Sequence, residues 1–364
     1  MQNKRLLSLD ILRGLTIILM IIVNDPGSWS NVYAPLLHAE WNGITPTDYI
    51  FPCFLFIVGV SIVLSMKKQR ESGKSRNELM KKVLWRALKI YVLGIFLWVW
   101  PNFNFEGIRW VGVLPRIAFV YLTCALLFLY ASRKTQWIFG ISVILGYWLV
   151  MAYIPIPEIG FPDLNVPEKN WAHFIDHLIL PGRLWQETWD PEGILSTLPA
   201  IVTGLIGMWA GNILLQKDEL KNRLNQLFFY GFILLFLGDF MQWFFPFNKN
   251  LWSSSFTLFM GGVGMLSLAS FTFFFDLKQN HYKFKFAHAF GVNSITAYSL
   301  SGLLTVVFYN SDWLGISLND EFMSFCNQVG LSLKFGSLIY ALLYLIILWI
   351  PIQILFKKNI YIKL

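Results

Sequence analysis

The sequence contains few charged residues for its length. Asp, Glu, Lys and Arg together make up 14% of the 364 residues, whereas soluble domains carry roughly 25%. Hydrophobic residues make up 56% of the chain, which is too much to hide beneath a water-facing surface. The composition excludes an ordinary soluble globular protein and favours a chain embedded in a lipid bilayer.

Cysteine is also scarce. Cys53, Cys124 and Cys326 lie far apart in the sequence, so neither a disulfide framework nor a cysteine-based metal knuckle is expected. His173 and His177 have the i, i+4 spacing of two metal ligands on one helical face, but a metal site needs at least a third ligand. We therefore expect no metal cofactor.

Apolar runs close to the roughly 20 residues that cross a bilayer recur along the whole chain. They predict an all-α, polytopic transmembrane helix bundle of about ten spans, forming a single domain over residues 1–364. The spans are expected at residues 6–24, 46–66, 83–101, 110–130, 137–155, 194–215, 226–245, 253–275, 286–308 and 334–356. The first run contains Asp10 and Arg13 and lacks a small-residue cleavage site, so we expect a helix and not a signal peptide.

The positions of the basic residues predict the orientation of the spans. Most of the 29 Lys and Arg residues fall in loops on one side, above all in the run 67–82. Such residues accumulate in cytoplasmic loops, so both termini are expected in the cytoplasm. The loop 156–193 on the opposite side is long enough to form a folded periplasmic cap. The formal net charge of +8 is met by anionic lipid and requires no nucleic-acid partner.

The segment 36–60 contains the strongest candidate for chemistry. Its residues 45–48, TPTD, are typical of a helix start, with a Thr cap, Pro at the first helical position and an acid three residues after the cap. His38 therefore precedes a helix at the outer membrane boundary, where an imidazole suits proton transfer or acyl acceptance. Asp48 either orients that imidazole or only caps the helix, and the sequence leaves both roles open.

Polar residues near His38 are candidates for substrate binding. Glu40, Trp41 and Asn42 follow it closely. Asn24 and Asp25 end the first span on the same outer side. The Asn24 amide could donate to a thioester carbonyl or an oxyanion, although a plain helix stop explains this segment equally well. Glu40 is likewise explained as a solvated loop acid.

Two further outer segments carry candidate substrate ligands. In the segment 190–193, DPEG, Asp190 is expected to cap a helix and Glu192 to complement its dipole, while a place beside the His38 loop stays open. Asn250 and Trp252 lie in a polar outer turn. A Trp in such a turn either stacks on a sugar or anchors the protein at the membrane interface.

Four cations within the predicted spans are candidates for binding the phosphates of a cofactor. Arg13, Arg86 and Lys89 lie near cytoplasmic helix ends. Arg13 can instead pair with Asp10 at i, i+3, and the other two can extend to lipid headgroups. Arg116 is deeper and has no charged partner at i±3 or i±4, so it must face another helix or a polar cavity. If that cavity admits coenzyme A, Arg116 is a phosphate ligand.

Six segments resemble a known family, in the same order along the chain. They are RLLSLDILRGLTIILMIIVN, LLHAEWNGITPTDYIFPCFLFIVG, RWVGVLPRIAFVYL, DPEGILSTLPAIVTGLIGMWAG, NKNLWSSSF and FGVNSITAY. Together they are similar to the transmembrane acyltransferases related to lysosomal heparan-alpha-glucosaminide N-acetyltransferase, and they cover most of the chain. One departure is Pro115, which stands where the family's GVLQR-like segment has Gln.

The resemblance implies a function. The catalytic histidine of the family's H-A-x-W-N-G segment corresponds to His38, and an asparagine ending the preceding helix corresponds to Asn24. The family implies cytoplasmic acetyl-CoA as donor, the amine of an amino sugar across the membrane as acceptor, and a homodimer. We therefore expect a bacterial inner-membrane N-acetyltransferase, with a polar route for the donor past Arg116. An O-acyltransferase of envelope glycans and a transporter without acyl transfer stay open.

Overall fold

The computed structural model describes residues 6–279, 284–310 and 315–362. Within these ranges the chain is α-helical with short 3₁₀ turns and no β-strand, which confirms the predicted fold class. The α-helices are α1 Leu7–Asn24, α2 Ile50–Glu71, α3 Arg76–Val99, α4 Val113–Tyr130, α5 Arg133–Tyr153, α6 Trp171–Ile179, α7 Thr197–Leu214, α8 Leu220–Met241, α9 Ser254–Phe271, α10 Lys285–Val292, α11 Ser294–Tyr309, α12 Leu318–Gln328 and α13 Leu333–Lys357. A π-helical segment, Thr272–Leu277, continues α9.

Eight helices in the described part of the chain are long and apolar enough to cross a membrane. They are α1, α2 with its preceding 3₁₀ turn, α4, α5, α7, α8, α9 with its π-helical continuation, and α13. The bent pair α10 and α11 makes a ninth if it counts as one span. α3, which matches the predicted span 83–101, carries Arg86 and Lys89 on its exposed surface and is not among them. The protein is thus multi-pass, while the orientation of its termini stays a prediction.

The chain divides into two compact units. The first contains the described residues within 1–38, 45–51 and 270–363. In this unit α1 packs closely along α10. A Cβ atom on Gly14 would collide with the carbonyl oxygen of Ala287, and one on Gly291 with that of Asp10. The absence of side chains at these two glycines therefore lets the two backbones touch, as is common between membrane helices.

The helix break between α10 and α11 is the main irregularity of the first unit. The two helices meet at Asn293 with an angle of 85°, because Asn293 has a non-helical backbone with φ −117° and ψ 34°. Arg13 on α1 donates to the carbonyl of Gly291 at 3.3 Å, next to the break. The sequence predicted one continuous span at 286–308, and the structure replaces it with this bent pair.

The second unit contains residues 39–44 and 52–269, and with them most of α2 and the helices α3 to α9. In α7, 78% of the apolar stretch is buried, compared with 22% in α5 and 28% in α8. A Cβ atom on Gly59 of α2 would collide with the carbonyl oxygen of Gly204, and one on Gly207 with that of Phe56. α7 is therefore the internal helix of this unit and packs tightly on α2.

The loop 156–193 is folded and contains α6. The Asn170 side chain caps this helix by accepting a hydrogen bond from the His173 amide at 3.0 Å. The Asp176 carboxylate accepts from the Ile194 amide at 2.7 Å and so ties α6 to the segment before α7. Asp190 was expected to cap the next helix, but this is wrong, because α7 begins only at Thr197. The periplasmic position of the loop stays a prediction.

Candidate active site

His38 and Asp48 form a hydrogen-bonded pair in the first unit. Nδ1 of His38 lies 2.6 Å from Oδ1 of Asp48. The side chain of Asp48 is 1% exposed, whereas that of His38 is 47% exposed. Because an ionised carboxylate only accepts hydrogen bonds, Nδ1 of His38 is the donor in this pair. The contact engages Nδ1 and fixes the orientation of the ring, whose other nitrogen is Nε2.

The same carboxylate caps the turn Pro46–Tyr49 before α2. Oδ2 of Asp48 accepts from the backbone amide of Thr45 at 2.9 Å, completing a capping box. The Thr45 hydroxyl donates to the carbonyl of Leu37 at 2.6 Å, which ties the loop carrying His38 to the same turn. The two roles that the sequence left open for Asp48 therefore coexist, one on each carboxylate oxygen.

Asn24 and Asp25 lie at the end of α1, also in the first unit. α1 contacts the turn Pro46–Tyr49 that carries Asp48. Asn24 is exposed and Asp25 is buried. Burial raises the pKa of Asp25 to about 8, because desolvation disfavours the ionised carboxylate. The raised pKa favours the protonated form of Asp25 near neutral pH.

Glu40 and Trp41 belong to the second unit. The Trp41 indole N–H donates to the carbonyl of Leu164 at 2.8 Å, and its ring meets that of Trp189 edge-on with centroids 5.1 Å apart. Glu40 is exposed. Of these two predicted substrate ligands, Trp41 already attaches its loop to the folded segment 156–193, and Glu40 faces solvent.

Asn42 and Asn248 continue this network in the second unit. The Asn42 amide donates to Oδ1 of Asn165 at 2.9 Å and accepts from Nδ2 of Asn248 at 3.1 Å. Oδ1 of Asn248 accepts from the Leu251 amide at 2.8 Å. Asn250 lies half-buried in the same turn. Asn42, which was predicted as a substrate ligand, thus links the segment of Asn165 to the turn of Asn248.

Arg109 joins Asp190 and Glu192 in a buried ionic network of the second unit. Its guanidinium donates to Asp190 at 2.6 and 2.5 Å and to Glu192 at 2.5 Å. It also lies 5.0 Å from the ring centroid of Trp185. Burial alone would raise the pKa of Glu192, but the charge of Arg109 holds it below its usual range. Sequence reasoning missed this network because its members are 81 and 83 residues apart.

Arg116 lies in the first turn of α4 and is 1% exposed. One terminal nitrogen, Nη2, donates to the carbonyl of Gly193 at 3.0 Å and to the Ser196 hydroxyl. The guanidinium lies 5.2 Å from the ring centroid of Trp252, whose indole N–H donates to Thr203 at 3.0 Å. Nε and Nη1 of Arg116 have no hydrogen-bond partner among the described residues.

The other three cations predicted as phosphate ligands have separate surroundings. Arg13 pairs with Asp10 at 3.2 Å, as its spacing predicts. Arg86 lies 5.1 Å from the ring centroid of Tyr121, and Lys89 lies 5.9 Å from that of a neighbouring tryptophan. Both side chains on α3 are exposed, a position that suits lipid headgroups as well as a cofactor.

His173 and His177, the pair with metal-ligand spacing, stack on each other with ring centroids 5.9 Å apart. Asp176 lies between them in the sequence, and burial raises its pKa to about 7. In the described ranges, no group of three or more His, Cys, Asp or Glu side chains is placed to hold a metal ion.

A cavity of about 330 Å³ lies in the second unit between α5, α7, α8 and α9. Its walls are largely apolar and include the rings of Trp137 and Trp209, with Arg133 and Gln216 among its few polar residues. None of the predicted site residues lines it.

Comparisons with known proteins identify the family. The family described as heparan-alpha-glucosaminide N-acetyltransferase, catalytic, matches residues 5–248. Heparan-alpha-glucosaminide N-acetyltransferase of Homo sapiens is 32% identical over 327 residues, covering 74% of this chain and 47% of the human protein. That of Mus musculus is 30% identical over 328 residues, covering 74% and 48%. The chain thus spans about half the length of these relatives. It belongs to the heparan-alpha-glucosaminide N-acetyltransferase family.

Proposed function

We propose that this protein is a membrane acetyltransferase. It transfers the acetyl group of cytoplasmic acetyl-CoA to the amine of an amino sugar on the periplasmic side of a bacterial inner membrane, and it works as a homodimer. The observation that carries this proposal is the pair of His38 and Asp48, which lies in the segment resembling the family's catalytic motif. Membership of the family supports the acetyl group and the amino sugar as the transferred group and acceptor.

Two routes use the geometry of this pair. In the first, Nε2 of His38 attacks the thioester carbonyl, a bond forms between Nε2 and the acetyl carbon, and the C–S bond breaks to release CoA as a thiolate that takes up a proton. The neutral sugar amine then displaces the histidine. In the second, Nε2 removes the proton from the sugar ammonium, and the amine attacks the thioester directly while both substrates are bound. In both routes the buried Asp48 carboxylate stabilises the imidazolium that forms.

Asn24 is proposed to stabilise the tetrahedral intermediate. Both routes place negative charge on the former carbonyl oxygen, and a correctly placed amide donor contributes on the order of 3 kcal/mol to the transition state. Asn24 is exposed at the end of α1, in the same unit as His38. Asp25 beside it favours the protonated form near neutral pH, since burial raises its pKa to about 8. It is proposed to donate to the substrate.

The remaining predicted ligands fall into two groups, those exposed to a substrate and those already engaged in contacts within the protein. Glu40 is exposed and Asn250 half-buried, so we propose them as direct ligands of the sugar. Trp41, Asn42, Glu192 and Trp252 already make buried or half-buried contacts, and we propose that they shape the surrounding loops. We propose that Nε and Nη1 of Arg116, which have no hydrogen-bond partner among the described residues, donate to an anionic part of a substrate.

The direct test is acetyl transfer by the purified full chain in lipid nanodiscs, given labelled acetyl-CoA and a panel of amino sugars. We expect transfer to at least one amine, and a loss of about 10²–10⁴-fold in His38→Ala. Unchanged transfer in that variant would remove His38 from the mechanism. Absence of CoA release with every acceptor would instead favour the transporter.

An O-acyltransferase of envelope glycans is the second candidate. A hydroxyl is a much weaker acid than an ammonium and needs a better-supported base, which the carboxylate-paired histidine provides. A panel of sugars with blocked amines and free hydroxyls separates the two candidates. Transfer to the blocked sugars at the rate of the amines would favour the O-acyltransferase.

A further inference from the structure

The helix α11 carries two classes of hydroxyl side chain. Ser301 donates to the carbonyl of Tyr298 at 2.8 Å, and Thr305 donates to the carbonyl of Gly302 at 2.7 Å. Such bonds to the preceding turn are the usual way in which a hydroxyl is satisfied inside a membrane helix. These two residues therefore need no further partner.

Asn293, Thr296 and Ser299 differ from that class. The polar side-chain atoms of all three, including both amide atoms of Asn293, are shielded from solvent and have no hydrogen-bond partner among the described residues. Asn293 is 1% exposed. Thr296 and Ser299 are three residues apart and share one face of α11, on the side away from Ser301 and Thr305. Asn293 lies at the break immediately before this face. We refer to these three residues as the polar face of α11.

The helix break adds backbone groups that α11 itself cannot satisfy at the start of this face. The first backbone N–H groups of α11 have no acceptor within the helix, and the Asn293 side chain does not cap them. Non-helical backbone and unsatisfied polar groups are costly in hydrocarbon, and membrane proteins retain them where they line a ligand or a water-filled cavity.

A second helix of the same unit continues this pattern. Nε1 of Trp349 and Oε1 of Gln353, four residues apart on α13, are also shielded from solvent and lack a partner among the described residues. α13 contacts both α10 and α11. The Trp349 ring lies 5.5 Å from that of Phe286 on α10. Unsatisfied polar groups therefore also lie on α13, a helix that packs against α10 and α11 in the same unit.

We propose that the polar face of α11 binds the amide-bearing arm of the acyl-CoA donor, an inference that rests on the proposed function. This arm carries two amides and a hydroxyl that need hydrogen bonds at membrane depth. Its successive amides are separated by about 4–5 Å, a little more than one extended residue, and successive positions on the polar face rise about 4.5 Å. Asn293 can donate and accept at once, and the hydroxyls of Thr296 and Ser299 can do either.

The position of this face within the first unit fits the chemistry of His38. α1 contacts α11 and also contacts the turn Pro46–Tyr49 that carries Asp48. A donor arm along α11 thus shares a neighbouring helix with the proposed catalytic pair. The sequence suggested a route past Arg116, whereas the polar face of α11 supplies the required hydrogen-bonding groups within the first unit.

The test compares two double variants of the full chain. Thr296→Val with Ser299→Ala removes two hydroxyls from the polar face, and Ser301→Ala with Thr305→Val removes the two satisfied hydroxyls as a matched control. Binding of CoA to nanodiscs and the KM for acetyl-CoA are measured in each. We expect the first variant to lower the affinity for CoA and to raise the KM for acetyl-CoA, each by about five- to thirtyfold with kcat unchanged, since each lost hydrogen bond weakens binding severalfold. The control should stay within about twofold.

S-acetylpantetheine keeps the arm and lacks the nucleotide. Its KM should rise by the same factor in the first variant. Unchanged CoA affinity and KM in the first variant, or an equal loss in the control, would overturn the proposal. If the double variant does not fold, Ser299→Ala alone is measured and should weaken binding by about three- to tenfold. If the wild-type protein binds CoA but transfers no acetyl group, the proposed function is wrong. If the variant keeps full transfer and unchanged CoA affinity, only this inference is wrong.

Discussion

Two buried ionic groups of this protein differ in what they leave accessible. The network of Arg109, Asp190 and Glu192 buries its cation together with both carboxylates. The pair of His38 and Asp48 buries only the carboxylate and exposes about half of the histidine. The first arrangement uses all of its charge to hold loops together. The second uses a buried carboxylate to orient a half-exposed imidazole, which is the arrangement that the proposed catalysis requires.

The largest expected effect tests the second arrangement. Asp48→Asn removes the negative charge that orients His38 and stabilises its imidazolium, so kcat for acetyl transfer should fall by about 10²–10⁴-fold. Steady-state transfer from labelled acetyl-CoA measures this. Thr45→Ala is the control for the turn: it removes the hydroxyl that bonds Asp48 and Leu37 and keeps the Asp48 carboxylate and its charge beside His38. Equal losses in both variants would reduce Asp48 to a helix cap.

The next effect tests the first arrangement. Arg109→Met leaves two buried carboxylates without their cation and should destabilise the protein by about 3–5 kcal/mol. Thermal unfolding in detergent measures the loss, and the folded fraction should transfer acetyl groups at nearly the wild-type rate. Adding Asp190→Asn and Glu192→Gln should restore part of the stability. If the Arg109→Met protein is stable but has a greatly reduced kcat, the Arg109 network has a catalytic role and not a structural one.

Asn24→Ala tests whether Asn24 stabilises the oxyanion in the reaction proposed for His38. Loss of an oxyanion donor should lower kcat by about 10²–10³-fold with little change in donor KM. Asn31→Ala, in the loop that follows α1, is the control and should leave kcat unchanged. A rise in KM at constant kcat would make Asn24 a binding residue and not a donor to the transition state.

The smallest expected effect concerns pH. Burial raises the pKa of Asp25 from 3.8 to about 8, so between these values the folded state holds a proton that the unfolded state has lost. Stability should therefore fall as pH rises from 5 to 8, by roughly 1–3 kcal/mol, and level off above 8. Asp25→Asn should flatten this slope in thermal unfolding scans. A slope that is identical in the variant would assign the pH dependence to another group.

Hydropathy predicted most of the helices because a span must be apolar over its whole length. The first helix was expected at 6–24 and extends over Leu7–Asn24. The break at Asn293 was missed because apolar residues continue on both sides of it, and one polar residue does not interrupt the pattern. The cap assigned to Asp190 was wrong because its local signal is the same in a loop, and only a partner 81 residues away, Arg109, decides its position.

The candidate site was predicted in part for the same reason. His38 and Asp48 are ten residues apart, so a local pattern could bring them together, and their pairing was one of two roles considered for Asp48. The sequence could not show that, among the described residues, two nitrogens of Arg116 and the hydroxyls of Thr296 and Ser299 would have no hydrogen-bond partner. Such features depend on the three-dimensional environment of each atom and not on spacing.

The close contact of α1 with α10 has a consequence for biosynthesis. α1 is synthesised before the other described helices, but the helical segments against which it packs, the π-helical Thr272–Leu277 and the helices α10, α11 and α13, emerge only after residue 271. The helices α3 to α9, in contrast, find partners soon after they leave the ribosome, because α3 packs on α4 and α7 on α8. The first helix must therefore wait in the bilayer while more than half of the chain is inserted, and the element carrying Asn24 is completed last.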